Sequence, residues 1–330
     1  MFPTSLRHLV LAACLGPALS PLTLSVAEAA KLRLAHASSN DSLINKAAQE
    51  FQRKVSEKTG GELEIVIFPD GQLGDEDPIV EGVGVGSIDI GLGGSVDAIE
   101  PRLNVVSLPF LFTGNASVHA FLDGPVGQEI MGLGQDRGYV MLGALDSGFR
   151  QFASEKTAIA KPADLEGLKI RTPPNPVILA TMRQLGALAE AIPFGQVYTS
   201  LQANVVSAVE PEIRDYYDSK WYEVAGKLSI ANYIWTANWW FMNKDKLDAL
   251  PAEQQAALKE AASETVSWYR GQLDATYTRI LGELKAKGIE VSNVDAAPFR
   301  TAVTPVYDEF GAEWGADLVA RVRAAAASAQ

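Results

Sequence analysis

Residues 31–92 decide the architecture: KLRLAH (31–36), DSLINKAAQEFQRKVSEKTGG (41–61), ELEIVIF (62–68), PDG (69–71), QLGDEDPIVEGVGVG (72–86) and SIDIGL (87–92). Lys31–His36 alternates polar and apolar side chains as a strand does. Asp41 is placed to cap a helix in which Ile44, Ala47, Ala48, Phe51 and Val55 recur at helical spacing until Gly60-Gly61 stops it. Glu62–Phe68 alternates again, Pro69-Asp70-Gly71 turns the chain, residues 76–86 read as a second helix and Ile88–Leu92 as a third strand. Strands alternating with helices in this way form a parallel α/β sheet.

Towards the N-terminus the character changes. Arg7 and His8 precede the apolar Leu9–Leu15, a weaker apolar stretch runs on to Val26, and Ala27-Glu28-Ala29 supplies small residues two apart. That is the pattern of a secretory signal peptide cleaved after about Ala29. A membrane anchor needs roughly 20 clean apolar residues, and Gly16, Pro17, Ser20 and Pro21 interrupt this one. Leu11-Ala12-Ala13-Cys14 offers a second reading, a lipoprotein box that leaves Cys14 lipidated. Cys14 is the chain's one cysteine, so the body uses no disulfide and no thiolate chemistry.

The 330 residues, 47% apolar and 21% charged, suit one large or two medium globular domains. The net charge of −12 is unchanged by loss of the leader, which carries Arg7 against Glu28. An acidic body argues against nucleic acid and anionic membrane surfaces as partners, so any anion must be held by a local cationic pocket.

Downstream, strands are expected at 139–145, 149–153, 168–171, 187–190, 206–210 and 235–242, with helices at 116–134, 176–185 and 195–203. Pro251–Lys287 reads as a nearly unbroken helix, from Leu250-Pro251 to Gly288. At about 1.5 Å per residue it would extend roughly 55 Å, enough to brace two lobes. The alternative is two helices kinked at Gly271 or Gly282.

Taken together, Glu57-Lys58-Thr59-Gly60-Gly61, Phe68-Pro69-Asp70-Gly71-Gln72-Leu73-Gly74, Gly86-Ser87-Ile88-Asp89-Ile90, Leu168-Lys169-Ile170-Arg171-Thr172-Pro173, Leu185-Gly186-Ala187, Pro193-Phe194-Gly195-Gln196-Val197-Tyr198 and Ser200-Leu201-Gln202 carry a resemblance. In that order and spacing, the chain resembles the DctP-type solute-binding proteins of TRAP (tripartite ATP-independent periplasmic) transporters. The resemblance implies a two-lobed periplasmic binding protein of type II-like α/β fold, with segments exchanged between lobes and a long lobe-spanning helix. Lobe one would comprise 30–148 with 237–276, and lobe two 149–236 with 277–330. The implied function is capture of a small organic carboxylate by hinge closure, without catalysis or cofactor, and delivery to the TRAP membrane permease subunits. A periplasmic monomer is expected. The same lobes would serve a sensory receptor equally well.

Arg171 ends a short apolar strand just before Pro173-Pro174, where a guanidinium offers two parallel donors to a carboxylate; its family counterpart clamps the ligand carboxylate. Arg150 matches a second family arginine, and its place between Phe149 and Phe152 equally suits a salt bridge at the hinge. Phe194 matches a residue that packs on the ligand in relatives, and Glu210 matches the acid of the family's Asp-Gly-Gln-Glu-Asn-Pro stretch. Here Ser207-Ala208-Val209-Glu210-Pro211 lacks that stretch's glutamine and asparagine, which points away from a polyhydroxylated sugar acid. Asp97 either meets an ammonium or hydroxyl of the ligand or caps the next helix. Ser39 and Asn40 belong to the His36–Asp41 edge after the first strand, and Asn175 offers a polar contact. Tyr233, Trp235, Trp239 and Trp240 form either an aromatic wall for the ligand or packing at the lobe junction. A smaller, less hydroxylated or amino-bearing acid is therefore expected, with dicarboxylate, keto acid, aromatic acid and zwitterion all open.

The parts of an enzyme are missing from the sequence. There is no Gly-x-Ser-x-Gly, His-Glu-x-x-His or Walker loop. Gly82-Val83-Gly84-Val85-Gly86 falls within a predicted helix, and after the leader only His36 and His119 remain to serve a metal site or a catalytic triad. Hydrolysis by a carboxylate pair is the one enzymatic alternative the residue types leave.

Overall fold

The computed structural model describes residues 29–329; the leader reading and Cys14 lie outside the described residues. Eleven strands follow in chain order: β1 (Ala30–His36), β2 (Leu63–Phe68), β3 (Ile90–Gly93), β4 (Tyr139–Phe149), β5 (Phe152–Ser154), β6 (Lys169–Thr172), β7 (Leu188–Ala191), β8 (Ala208–Val209), β9 (Lys227–Ile230), β10 (Trp235–Asn243) and β11 (Glu290–Asn293). They build two mixed sheets. The first has the order β2-β1-β3-β10-β4 and the second β11-β9-β5-β8-β6-β7.

In the first sheet β1 runs parallel to β2 and β3, as the opening residues predict, and β10 enters antiparallel between β3 and β4. A strand from late in the chain thus completes the early sheet. The chain leaves the first sheet for the second at Arg150-Gln151 and returns at 231–234. The two crossings lie side by side: Arg150 N–H donates to the Ile234 carbonyl at 2.7 Å and Tyr233 N–H to the Arg150 carbonyl at 3.2 Å. Gln151 Oε1 accepts from the N–H groups of Ala231 and Asn232 at 2.8 and 2.9 Å. The junction is a two-stranded tie rather than a single flexible linker.

Local chemistry explains where elements start and stop. Ile44, Ala47, Ala48, Phe51 and Val55 form the buried stripe of helix Leu43–Lys58, but its cap is Ser42 rather than Asp41: Ser42 Oγ accepts from Asn45 N–H at 3.1 Å. The expected helix over 116–134 is two, Asn115–Asp123 and Pro125–Met131, because Pro125 has no N–H with which to continue the first. The expected helix over 195–203 opens with a 3₁₀ turn, Phe194–Gln196, and continues as Val197–Gln202.

Pro251–Lys287 is not one helix. Ala252–Arg270 and Leu273–Ala286 meet at Gly271-Gln272, where the Gln272 N–H turns back to the Tyr269 carbonyl at 2.9 Å. Gly282 lies inside the second helix. The first helix packs on helix Leu43–Lys58 and β4, and the second on helix Ile213–Asp218 beside the second sheet. The pair spans both sheets in bent form. Strands β9 and β11 go beyond the sequence expectation, being four-residue parallel neighbours with little apolar patterning.

One apolar cluster runs across both sheets, with Trp239 and Phe241 from the first and Phe152, Ile170 and Ala208 from the second, and each sheet has a further cluster of its own. Against the first sheet, Phe51 meets Trp240 edge-on with ring centroids 4.5 Å apart, and each such fully buried side chain is worth about 1.5–3 kcal/mol. Tyr216, Trp221, Leu228, Ile280 and Leu284 fill the second. The last helix, Ala316–Ser328, packs on helices Asn115–Asp123 and Pro125–Met131, with Arg321 paired to Glu129 at 2.9 Å.

Candidate ligand-binding site

The carboxyl ends of β1, β3, β4 and β6 converge on one cleft, the place where open α/β sheets present loops and helix starts to a ligand. A cavity of about 50 Å³ lies there. β1 delivers Ala37 and Ser38, β3 delivers Gly94 and Ser95, and β6 delivers Arg171 with Pro173-Pro174-Asn175. Ser147 comes from β4, Trp239 and its neighbours from β10, and Asp215 from helix Ile213–Asp218.

Arg171 is buried, and among the described residues its guanidinium makes one hydrogen bond, from Nε to the Ile192 carbonyl at 2.9 Å. The Trp221 ring lies 5.6 Å from its Cζ and supports it from one side. The two terminal nitrogens have no carboxylate partner within the described residues. Burial, together with the like charge of Arg150, pushes the Arg171 guanidinium down to about 10. Such a group is a strong anion receptor, since an incoming carboxylate supplies the missing counter-charge.

Arg150 also reaches the cavity but is already satisfied. Its Nε and Nη2 grip both oxygens of Glu210, the second at 2.8 Å, and Nη2 also meets the Glu210 carbonyl at 2.6 Å. Tyr233 Oη donates to Glu210 Oε2 at 2.5 Å. Burial works against the Arg150 charge, but Glu210 outweighs it and holds the group above its ordinary range. Arg150 is thus the hinge salt bridge and a cavity wall at once.

Other expected residues divide. Phe194 lines the cavity and packs against Trp221 with centroids 5.4 Å apart. Asn175 lines it while capping helix Pro176–Gln184, its Oδ1 accepting from Ile178 N–H and its Nδ2 donating to Asn104 Oδ1 across the cleft at 2.8 Å. Glu210 does not line the cavity, because its carboxylate is taken by Arg150 and Tyr233. Asp97 lies in an exposed turn behind the cavity wall, its Oδ1 accepting from Nδ2 of the wall residue Asn104 at 3.4 Å; Glu100, not Asp97, caps the following 3₁₀ helix. Of the edge after β1, Ser38 faces the cavity, Ser39 lies at its mouth and Asn40 faces solvent. Of the aromatic group only Trp239 lines the cavity; Tyr233, Trp235 and Trp240 are junction and core.

Several polar wall residues escaped sequence reasoning, two of them acidic, Glu76 and Asp215, and others uncharged, among them Asn104 and Asn238. Glu76 Oε1 accepts from the Gly94 N–H at 2.9 Å. Burial pushes Glu76 up to about 7, and raises Asp215 as well.

Residues 34–313 match the family of bacterial extracellular solute-binding proteins, family 7, the DctP family. The chain belongs to this family. Among relatives of this solute-binding protein, the 2,3-diketo-L-gulonate-binding periplasmic protein YiaO of Escherichia coli K12 is 32% identical over 92% of this chain and 94% of that protein. A TRAP periplasmic solute-binding protein of Xanthobacter autotrophicus Py2, solved with β-D-galacturonate, is 32% identical, with a TM-score of 0.85 over 89% of this chain and 99% of that one. The sugar-acid-binding protein DctPAm of Advenella mimigardefordensis, solved with galactonate, is 26% identical, with a TM-score of 0.88 over 92% and 99%. Among the described residues of the chain, no helix is long and apolar enough to cross a membrane.

Proposed function

We propose that this protein is the periplasmic solute-binding subunit of a TRAP transporter, capturing a small organic carboxylate on Arg171 by closure of its lobes and passing it to the permease. The observation that carries this reading is a buried guanidinium on the wall of an enclosed cleft, bonded within the chain through Nε alone. A neutral ligand would leave that charge unpaired, so the site selects for anions. The cavity's position between two sheets suits the motion, with a bound acid favouring the closed arrangement and shifting its population.

The lobes divide at the crossings, 30–148 with 237–276 against 149–236 with 277–330. Within the latter the last helix straps back onto elements of the first lobe. Arg171, Arg150, Phe194 and Asn175 serve the ligand directly, and Glu210 serves it by holding Arg150. The chain reaches the periplasm after cleavage near Ala29, works as a monomer and catalyses no reaction.

Glu210, whose surroundings carry the sequence argument against sugar acids, is not on the cavity wall, and Asp97, which carries that for an amino-bearing acid, meets the wall through Asn104. Glu76, Asn104, Asp215, Ser38 and Ser95 instead give the wall ample polar capacity for a hydroxylated acid, and two of the relatives above were solved with acids of that kind.

A thermal-shift screen of the ligand-stripped chain against D-galacturonate, D-galactonate, D-erythronate, succinate and neutral sugars tests the reading. An acid at a thousand times its Kd should stabilise by about 4.1 kcal/mol, and Arg171→Gln should abolish the shift. Stabilisation by neutral sugars alone, or an acid shift indifferent to Arg171→Gln, would contradict it.

A further inference from the structure

The cavity holds more negative charge than an anion-binding site should. Its wall carries Arg150 and Arg171 with Glu76 and Asp215, and Glu210 behind Arg150 adds a third carboxylate, so that with all three carboxylates ionised one negative charge is in excess. Among the described residues neither Glu76 nor Asp215 has an ion-pair partner, and the Asp215 carboxylate makes no hydrogen bond. A bound carboxylate would raise the excess to two within a desolvated cleft, where like charges are costly. A proton must enter with it, or the ligand must bring a cation.

Glu76 is the group placed to take that proton. Its Oε1 is fixed by the Gly94 N–H at 2.9 Å, which leaves Oε2 free to carry a hydrogen and direct it at a ligand oxygen. The groups that act on it are Asp75 beside it in the chain, Asp215 from helix Ile213–Asp218 and Arg171 at the end of β6. Next to it in the chain Asp77 is engaged by the Ser95 hydroxyl. The β1 and β10 walls contribute only uncharged residues, Ala37, Ser38, Ala237, Asn238 and Trp239. Of the charges that act on Glu76, Arg171 is the one cation, and it is the cation the ligand neutralises. Burial already pushes Glu76 up to about 7 in the unliganded cleft; placing a carboxylate on Arg171 pushes it higher.

We propose that Glu76 is a specificity-determining residue that takes up a proton from solvent as the ligand binds, so that the closed complex holds a carboxylate on Arg171 and a neutral Glu76 donating its O–H to a ligand oxygen. The proposal rests on the carboxylate reading above. It makes proton and acid co-ligands of one site, and it selects acids with an acceptor oxygen within reach of Glu76.

The test is calorimetric titration of the ligand-stripped chain at pH 8, in phosphate and in Tris, with whichever of D-galacturonate, D-erythronate and succinate binds most tightly. The expected result is uptake of most of one proton per ligand, and a Kd that weakens towards tenfold per pH unit above about pH 7. Glu76→Gln should keep a heat of binding but lose both the uptake and the slope. A wild-type Kd flat from pH 6 to 9 without proton uptake would overturn the proposal while leaving the carboxylate reading intact, as would uptake that persists in Glu76→Gln. Absence of binding by every acid would instead bring down the carboxylate reading, and this proposal with it.

Discussion

The Arg150–Glu210 pair and the lone Arg171 show how the same residue type takes opposite roles a few ångströms of packing apart. Glu210→Gln would strand the Arg150 guanidinium without its carboxylate and leave the Tyr233 hydroxyl a poorer acceptor. Breaking one partner of a buried pair typically costs about 3–5 kcal/mol. Chemical denaturation of the unliganded variant should show a loss of that order. Arg171 and Arg150 were legible through their match to two arginines of the family, since position alone suits an internal ion pair as well as a ligand. Glu76 was not: Asp75-Glu76-Asp77 opens a helix and reads as a solvated acidic first turn, and only the return of β3 beside it supplies the Gly94 N–H.

Among the elements, the two crossing strands and the bent helix pair form one joint. Gly148, near the end of β4, has φ +118°, and a Cβ there would collide with the Tyr277 hydroxyl and approach Glu212 Cγ at 3.0 Å. Arg214 from the adjacent helix donates to the carbonyls of Asp146 and Ser147, and Tyr269 Oη donates to the same Asp146 carbonyl at 2.7 Å. Gly148→Ala should therefore cost at least about 1–3 kcal/mol from backbone strain alone, read as a lower denaturation midpoint, and weaken ligand binding by disturbing the joint. The element order from 31 to 92 was readable because each unit carries a clean period, 2 or 3.6, ended by glycine or proline. The break at Gly271-Gln272 was open to two readings, since the pattern continues across it, and β9 and β11 are too short and polar to signal themselves.

At the scale of the whole molecule, the two sheets are tied at the crossings and meet again across the cleft through Asn104–Asn175 and through Gly195 N–H to Asp75 Oδ2 at 2.9 Å. These contacts join opposite walls of the cleft through the chain's own bonds. The two-lobed architecture was legible through spaced segments that resemble a known family. The shape of the cavity was not, because it depends on which side chains of nine separate segments converge, and Glu210 and Asp97 come to lie behind its wall rather than on it. The most direct test of the central claim is calorimetric titration of the ligand-stripped protein with its best acid and with the corresponding neutral amide, in wild type and Arg171→Gln. The account predicts that the amide, and the variant with the acid, each lose at least about a hundredfold in affinity, in line with 3–5 kcal/mol for an unpaired buried charge. An amide that binds wild type as tightly as the acid would contradict it.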